Sequence, residues 1–243
     1  MKRFYFGLPV LLMVALAGCG KPENPGEIHF ATSAEYPPFE YMTQGEIKGF
    51  DIDLARLIAR ELHKKAVFDN RQFSTVLPSL TSGQSDAAIA TITITESRKK
   101  NVDFSDPYYF EGMAAVYNKH NPVKNQAQLA GKKMAAQLGS VMEYWLRKHF
   151  PGEQIIAFDN NNQAIEALLS GHVDVVLIDG SQGAVFSKKH ATLSCAIVAR
   201  AEEGYGIALR KGSLLTAQIN QALKTIKARG DLEKLQQFWL QGV

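Results

Sequence analysis

The chain has 243 residues, 46% hydrophobic and 21% charged, with a mean hydropathy of −0.13. That is the make-up of a folded water-soluble protein, and 19 glycines with 9 prolines exclude collagen-like and low-complexity chains. Twenty-seven basic against 24 acidic residues give a formal charge of +3 with no basic block, which argues against a nucleic-acid partner.

Lys2 and Arg3 precede an apolar run from Leu8 to Leu16 that is too short for a spanning helix of about 20 residues, so 1–18 reads as a signal peptide. Leu16-Ala17-Gly18-Cys19 resembles a bacterial lipobox, in which Cys19 becomes the lipidated first residue of the mature chain. Acyl chains there would hold the protein to a membrane face. Residues 19–26, with Pro22, Asn24, Pro25 and Gly26, then read as a tether. Cys195 is left without a partner, so no internal disulfide is expected, and its neighbours Ala196, Ile197 and Val198 place it in a strand as a buried thiol.

Beyond the tether, a strand is expected over 28–31. Asp51 reads as the cap of a helix whose apolar stripe is Ile52, Ala55, Ile58, Ala59 and Leu62. A strand follows at 66–68, then a helix capped by Ser74 that runs to Ser82. The second half repeats the theme: strand 133–136, a helix opened by Gly139-Ser140 to about His149, strand 155–158, helix 161–170, strand 173–178 and a helix from Ser181. A strand over 206–209 and helices over 214–229 and 231–239 close the chain. The ten residues from Leu80 to Ile89 overlay those from Leu168 to Leu177, each a last helical turn, a Ser-Gly stop, an Asp and an apolar run. Such runs are strands buried on both faces. The fold class is therefore α/β, in two similar lobes of parallel-leaning sheet.

Enzyme signatures are few. The six histidines lack metal-ligand spacing, no P-loop or Gly-x-Ser-x-Gly elbow occurs, and Gly204 and Gly206 precede a strand, which excludes a dinucleotide fingerprint. No metal or cofactor is expected. Candidate ligand groups lie instead at strand ends. Ala90-Thr91-Ile92-Thr93-Ile94-Thr95-Glu96-Ser97-Arg98 ends in an arginine whose planar fork matches a carboxylate, although a solvated arginine in a capped turn fits the spacing equally. Asp179-Gly180 offers a carboxylate for an ammonium, or simply a turn. Gln137-Leu138-Gly139-Ser140 leads into a helix N-terminus, an anion cradle. Arg98 and Asp179 together would grip a zwitterion.

The motifs Ala31-Thr32-Ser33-Ala34-Glu35-Tyr36-Pro37-Pro38-Phe39-Glu40-Tyr41, Gly49-Phe50-Asp51-Ile52-Asp53-Leu54, Thr93 to Arg98, Asp103-Phe104-Ser105-Asp106-Pro107-Tyr108-Tyr109 and Tyr205-Gly206-Ile207-Ala208 resemble, in the same order, the polar amino-acid-binding proteins of ABC importers. The resemblance runs from about Ile28 to Trp239. It implies a type II periplasmic-binding-protein fold, with lobe 1 from 27–109 and 205–243, lobe 2 from 110–204, and crossing strands near 108–112 and 202–205. It also implies that Arg98 binds a ligand carboxylate with help from the Thr93 N–H and from the backbone at Ser140 and Val141. Asp179 would bind the ammonium, with Ala90 or Thr91 supplying a further oxygen, while Tyr36 and Phe73 flank the ligand side chain and Gln137 lines the site.

Two departures matter. Ser33 stands where many relatives carry an acidic residue, and Val141 where a threonine is common. Tyr-Pro-Pro-Phe-Glu looks most like the arginine-binding members, and two rings suit a guanidinium through cation–π contact. Glu35 is a candidate for the missing negative charge. The expected ligand is a free polar or basic amino acid, arginine first, with glutamine, lysine or histidine as alternatives, delivered by a monomer to an ABC permease and ATPase. A cyclic amino-acid dehydratase shares the implied fold but needs an acid or base beyond the binding set, and none stands out. A sensory module is the other alternative.

Overall fold

The computed structural model describes residues 26–200 and 203–241. The signal peptide, Cys19, the tether up to Pro25 and Glu202 lie outside the described residues. In chain order the first half contains β1 (Glu27–Thr32), β2 (Glu35–Tyr36), β3 (Glu40–Thr43), β4 (Glu46–Lys48), α1 (Phe50–Glu61), β5 (Lys65–Asn70), α2 (Phe73–Thr81), β6 (Ala87–Ala88), α3 (Glu96–Lys99) and β7 (Val102–Phe104). The second contains β8 (Gly112–Asn118), a 3-10 turn (Gln126–Leu129), β9 (Met134–Gln137), α4 (Val141–His149), β10 (Ile155–Phe158), α5 (Asn161–Leu169), β11 (Val175–Asp179), α6 (Gly180–Lys189) and β12 (Leu193–Arg200). β13 (Ala208–Arg210), α7 (Leu215–Ala228) and α8 (Asp231–Leu240) close the chain.

Two five-stranded sheets result, ordered β5-β1-β6-β13-β7 and β10-β9-β11-β8-β12. Each places the first strand of its unit centrally, with the second and third parallel on either side. Each is then extended by antiparallel pairings, β13 on β6 and β7 on β13 in the first, β8 on β11 and β12 on β8 in the second. The parallel expectation therefore fails for one strand of each sheet, β13 and β8, which run against the other four. The antiparallel strands belong to segments next to the crossings, which sequence periodicity cannot orient.

The internal repeat extends to hydrogen bonds. α2 and α5 end on Ser82 and Ser170, each followed by a left-handed glycine, Gly83 (φ 74°) and Gly171 (φ 75°). Asp86 and Asp174 then make the same exchange, each carboxylate accepting at 2.8 Å from a residue of the unit's first-strand segment, His29 N and Lys133 N. Both sheets are buried on two faces, as continuous apolar runs require. Ala87 packs with α1 and α7, whereas Ala88 packs towards α2; Leu177 faces α4, whereas Val176 faces α5.

Three local expectations need correction. Asp51 does not cap α1: the cap is Gly49 (φ 133°), and a Cβ there would meet Phe39 O at 2.0 Å. The hairpin of β2 and β3 packs so closely that only glycine fits, and Asp51 is drawn inward as the second helical residue. Ser74 does not cap α2, which begins at Phe73 after Gln72. Cys195 is free and lies in β12, but it is half-buried rather than buried, its thiol directed towards Gly183 of α6.

Two segments connect the sheets and pair where they pass. Tyr205 N donates to Tyr109 O at 2.8 Å and Tyr108 N to Tyr205 O at 2.9 Å. Gly204 is required there, because a Cβ would meet Tyr109 O at 2.5 Å.

Candidate functional site

The carboxyl ends of the parallel strands face each other between the sheets, where ligands collect in open α/β folds. A cavity lies there, lined from the first sheet by Tyr36, Phe73, Thr91, Thr93 and Arg98. Gln137, Ser140, Val141 and Asp179 line it from the second sheet.

Arg98 sits on α3, a single turn capped by Thr95 Oγ1, which accepts from Arg98 N at 3.2 Å. Its Nη1 donates to Thr93 O at 2.7 Å, and its Nη2 reaches across the gap to Gly139 O at 3.0 Å. The guanidinium also lies 5.9 Å from the centroid of the Phe73 ring. Two of its five N–H groups are thus engaged, and three remain for an anion. Burial pulls its pKa down to about 10, against the attraction of Asp179, so it stays charged at neutral pH.

Asp179 ends β11 and precedes α6 without making a side-chain cap bond. Its Oδ2 accepts from Tyr36 OH. Burial, reinforced by the nearby Glu111 carboxylate, pushes its pKa up to about 7, with Tyr205, Tyr36 and Arg98 opposing. Glu111, which the sequence did not mark, is itself held by the Ser181 N–H and hydroxyl and by Tyr205 OH at 3.3 Å.

The other expected residues fall into three situations. The ladder bonds around Thr93 run from Ile94 N to Gly204 O and from Gly206 N to Ile92 O, which leaves the Thr93 N–H outside that pairing. Ser140 caps α4 by accepting from Glu143 N at 3.2 Å, but its own N–H donates to Gln137 O at 3.1 Å. Ala90 lines neither this cavity nor its neighbour; it is fully buried, and its carbonyl accepts from Thr91 Oγ1 at 2.8 Å.

A second cavity adjoins the first and shares Tyr36, Phe73, Thr91, Gln137 and Asn161 with it. Ser33, Glu35, Glu40 and Asn160 complete its lining. Glu35 is exposed, but Glu40 is only 1% exposed. Sequence reasoning passed over Glu40. The available sign was hairpin register: Tyr36 and Glu40 pair across β2 and β3, so they share a face. Asn161 was missed as well; it is buried at the start of α5, and its Oδ1 has no partner.

Behind Glu40 lies Asp51. Its Oδ2 accepts from Thr91 N at 2.8 Å and from Tyr108 OH at 2.9 Å. Thr91 holds a left-handed backbone (φ 47°), strained for a β-branched residue, and this aims its N–H at Asp51. The lobes also touch directly through Gln182 Nε2, which donates to Pro37 O. Among the described residues, no group of three or more His, Cys, Asp or Glu is placed to hold a metal ion.

The model of the bacterial extracellular solute-binding proteins, family 3, matches residues 28–242. The chain belongs to this family. It is 33% identical over 238 residues to the arginine-binding extracellular protein of Bacillus subtilis (strain 168), covering 94% of this chain and 93% of the relative. Among solved structures it matches an ancestral arginine-binding protein, seen bound to arginine and to glutamine, at 40% identity and TM-score 0.84 over 88% of this chain and 98% of that one. It also matches an ancestral amino-acid-binding protein described as a precursor of cyclohexadienyl dehydratase, at 33% identity and TM-score 0.83, covering 89% and 96% of the two chains. Membership establishes the two-lobed type II fold, a periplasmic or cell-surface location and a binding role in place of the dehydratase alternative.

Proposed function

We propose that this family member captures a basic amino acid, arginine first, between its two lobes and delivers it to an ABC permease. The supporting observation is a two-chambered cavity whose chambers differ in charge. Arg98 and Asp179 line the first, matching an α-carboxylate and an α-ammonium. The second holds Glu40, with the unpartnered Asn161 Oδ1 at the junction, matching the several N–H donors of a guanidinium. Tyr36 and Phe73 border both, so the methylene stem of a long side chain would pass between aromatic walls. Ser33 contributes no charge, and the role once considered for Glu35 falls to the buried Glu40.

In this reading residues 27–109 and 205–243 form one lobe and 110–204 the other. They open about the paired segments around Tyr109 and Tyr205. Opening separates Arg98 from Gly139 and Tyr36 from Asp179, contacts that the ligand's own groups replace on closure. The mature protein is a monomer held to the bacterial membrane by lipid on Cys19, through the tether of 19–26.

Calorimetric titration with arginine, lysine, histidine and glutamine tests the assignment. Arginine should bind most tightly, in the micromolar range or better, about −8 kcal/mol. Binding of none of the four would overturn it. Lipidation is tested separately by mass spectrometry of the membrane-extracted protein, where Cys19→Ala should release the chain.

A further inference from the structure

Behind Glu40, which lines the second chamber, stands a second buried carboxyl group, Asp51. Glu40 and Asp51 are 1% and 0% exposed, and each has an oxygen, Glu40 Oε2 and Asp51 Oδ1, buried without a hydrogen-bond partner. Carboxylate oxygens are acceptors only, so two of them cannot satisfy each other unless one carries a proton. Asp51 has the less need of a proton, since its other oxygen already takes two donors, Thr91 N and Tyr108 OH. Glu40 is therefore the natural carrier. The groups that bear on it from neighbouring elements are Asp51 of α1, Thr91, Tyr36 of β2, Tyr108 and the more distant Asp179, and none is a cation. Burial, with the neighbouring Asp51, accordingly holds the Glu40 carboxyl well above the usual range.

We propose that Glu40 and Asp51 share one proton in the empty site, and that an incoming cationic side chain expels it to solvent. The inference rests on the amino-acid-binding reading above. Ionised, Glu40 is a partner for a guanidinium. Protonated, it is a hydrogen-bond donor to the carbonyl of a neutral amide side chain. One chamber thus reads two side-chain classes, and pH sets the preference between them.

Asp179 also titrates near neutrality, but it would meet the α-ammonium that every amino acid carries. Its contribution cancels in the ratio of two affinities. The test is calorimetry with arginine and glutamine between about pH 5.5 and about pH 8.5, each in two buffers of different ionisation heat. One linked proton makes the arginine-to-glutamine affinity ratio rise with pH, by up to about tenfold per unit. Arginine binding at neutral pH should release a proton fraction that glutamine binding does not. Glu40→Gln has no such proton to lose, so its ratio should be flat with pH and its proton release on arginine should vanish.

A flat ratio in the unmodified protein, with no difference in proton release between the ligands, would overturn the proposal while leaving amino-acid binding intact. Unchanged proton release in Glu40→Gln would also overturn it. Should Glu40→Gln fail to fold, the proton count of the unmodified protein still decides, because it needs no variant. Failure of either amino acid to bind at any pH would remove the transport reading and this proposal together.

Discussion

The two chambers of the cleft are built on opposite logic. The first sets unlike charges against each other and draws them from both lobes: Arg98 from the turn after β6, Asp179 from the end of β11. The second brings like charges together from one lobe: Glu40 of β3 lines it, and Asp51 of α1 stands behind Glu40. In the proposed function, recognition of the α-groups therefore depends on closure, whereas both side-chain acids sit on one lobe and need no closure to meet. Affinity for any amino acid should reside mainly in the first chamber, and discrimination among amino acids in the second.

Arg98→Ala is the hardest blow to this division. Loss of one partner of a buried charge pair costs about 2–5 kcal/mol or more, so arginine and glutamine should both lose at least about thirtyfold in affinity by calorimetry. Circular dichroism should remain native. Near-normal affinity in the variant would break the comparison at its first term.

The acids should next show themselves in the stability of the ligand-free protein. Asp51 and Asp179 are both raised to about 7 in the fold, from ordinary values near 3.8. A carboxyl raised by folding contributes stability that is complete below its unfolded pKa and lost as pH rises through its folded one. Calorimetric melting of the ligand-free protein should therefore show these groups costing stability from about pH 4 to about pH 7, by up to a few kcal/mol each. Asp51→Asn should flatten that fall. A melting temperature insensitive to pH over this window would count against the buried acid pair.

Asp179→Asn separates the chambers from the other side. It should weaken every amino acid by a similar factor, about tenfold to a hundredfold, and leave the arginine-to-glutamine ratio unchanged at a given pH. A ratio that moved by more than the individual affinities would show that Asp179 reads the side chain. Tyr36→Phe should have the smallest effect. It deletes one hydroxyl that donates to Asp179 and retains the ring that borders both chambers. The loss should be about fivefold or less, the scale of a single hydrogen bond.

Part of the site was readable because it consists of local devices. Arg98 follows its capping Thr95 by three residues, and Asp179 ends a continuous apolar strand that stops at glycine, so spacing made both candidates and the family resemblance supplied their expected roles. Glu40 lies within one of the resembling motifs, but its neighbours Phe39 and Tyr41 give no hint of an acid turned inward. Only pairing with Tyr36 across the hairpin sets its direction. Asp51 was misread for the converse reason: an aspartate before an apolar helical stripe has the local pattern of a cap, but Thr91 and Tyr108, 40 and 57 residues away, claim its carboxylate.

The sequence by itself determined the α/β class, the position of most helices and strands to within two or three residues, and the duplicated helix-Ser-Gly-Asp-strand unit. These follow from side-chain periodicity and backbone preference, which act over a few residues. The tertiary structure alone decided which strands run antiparallel, that Ala90 is sealed away from the cavity, and that two acids meet at the bottom of the side-chain chamber. Such outcomes depend on distant segments competing for the same buried donors and the same space, and no window along the chain contains both competitors.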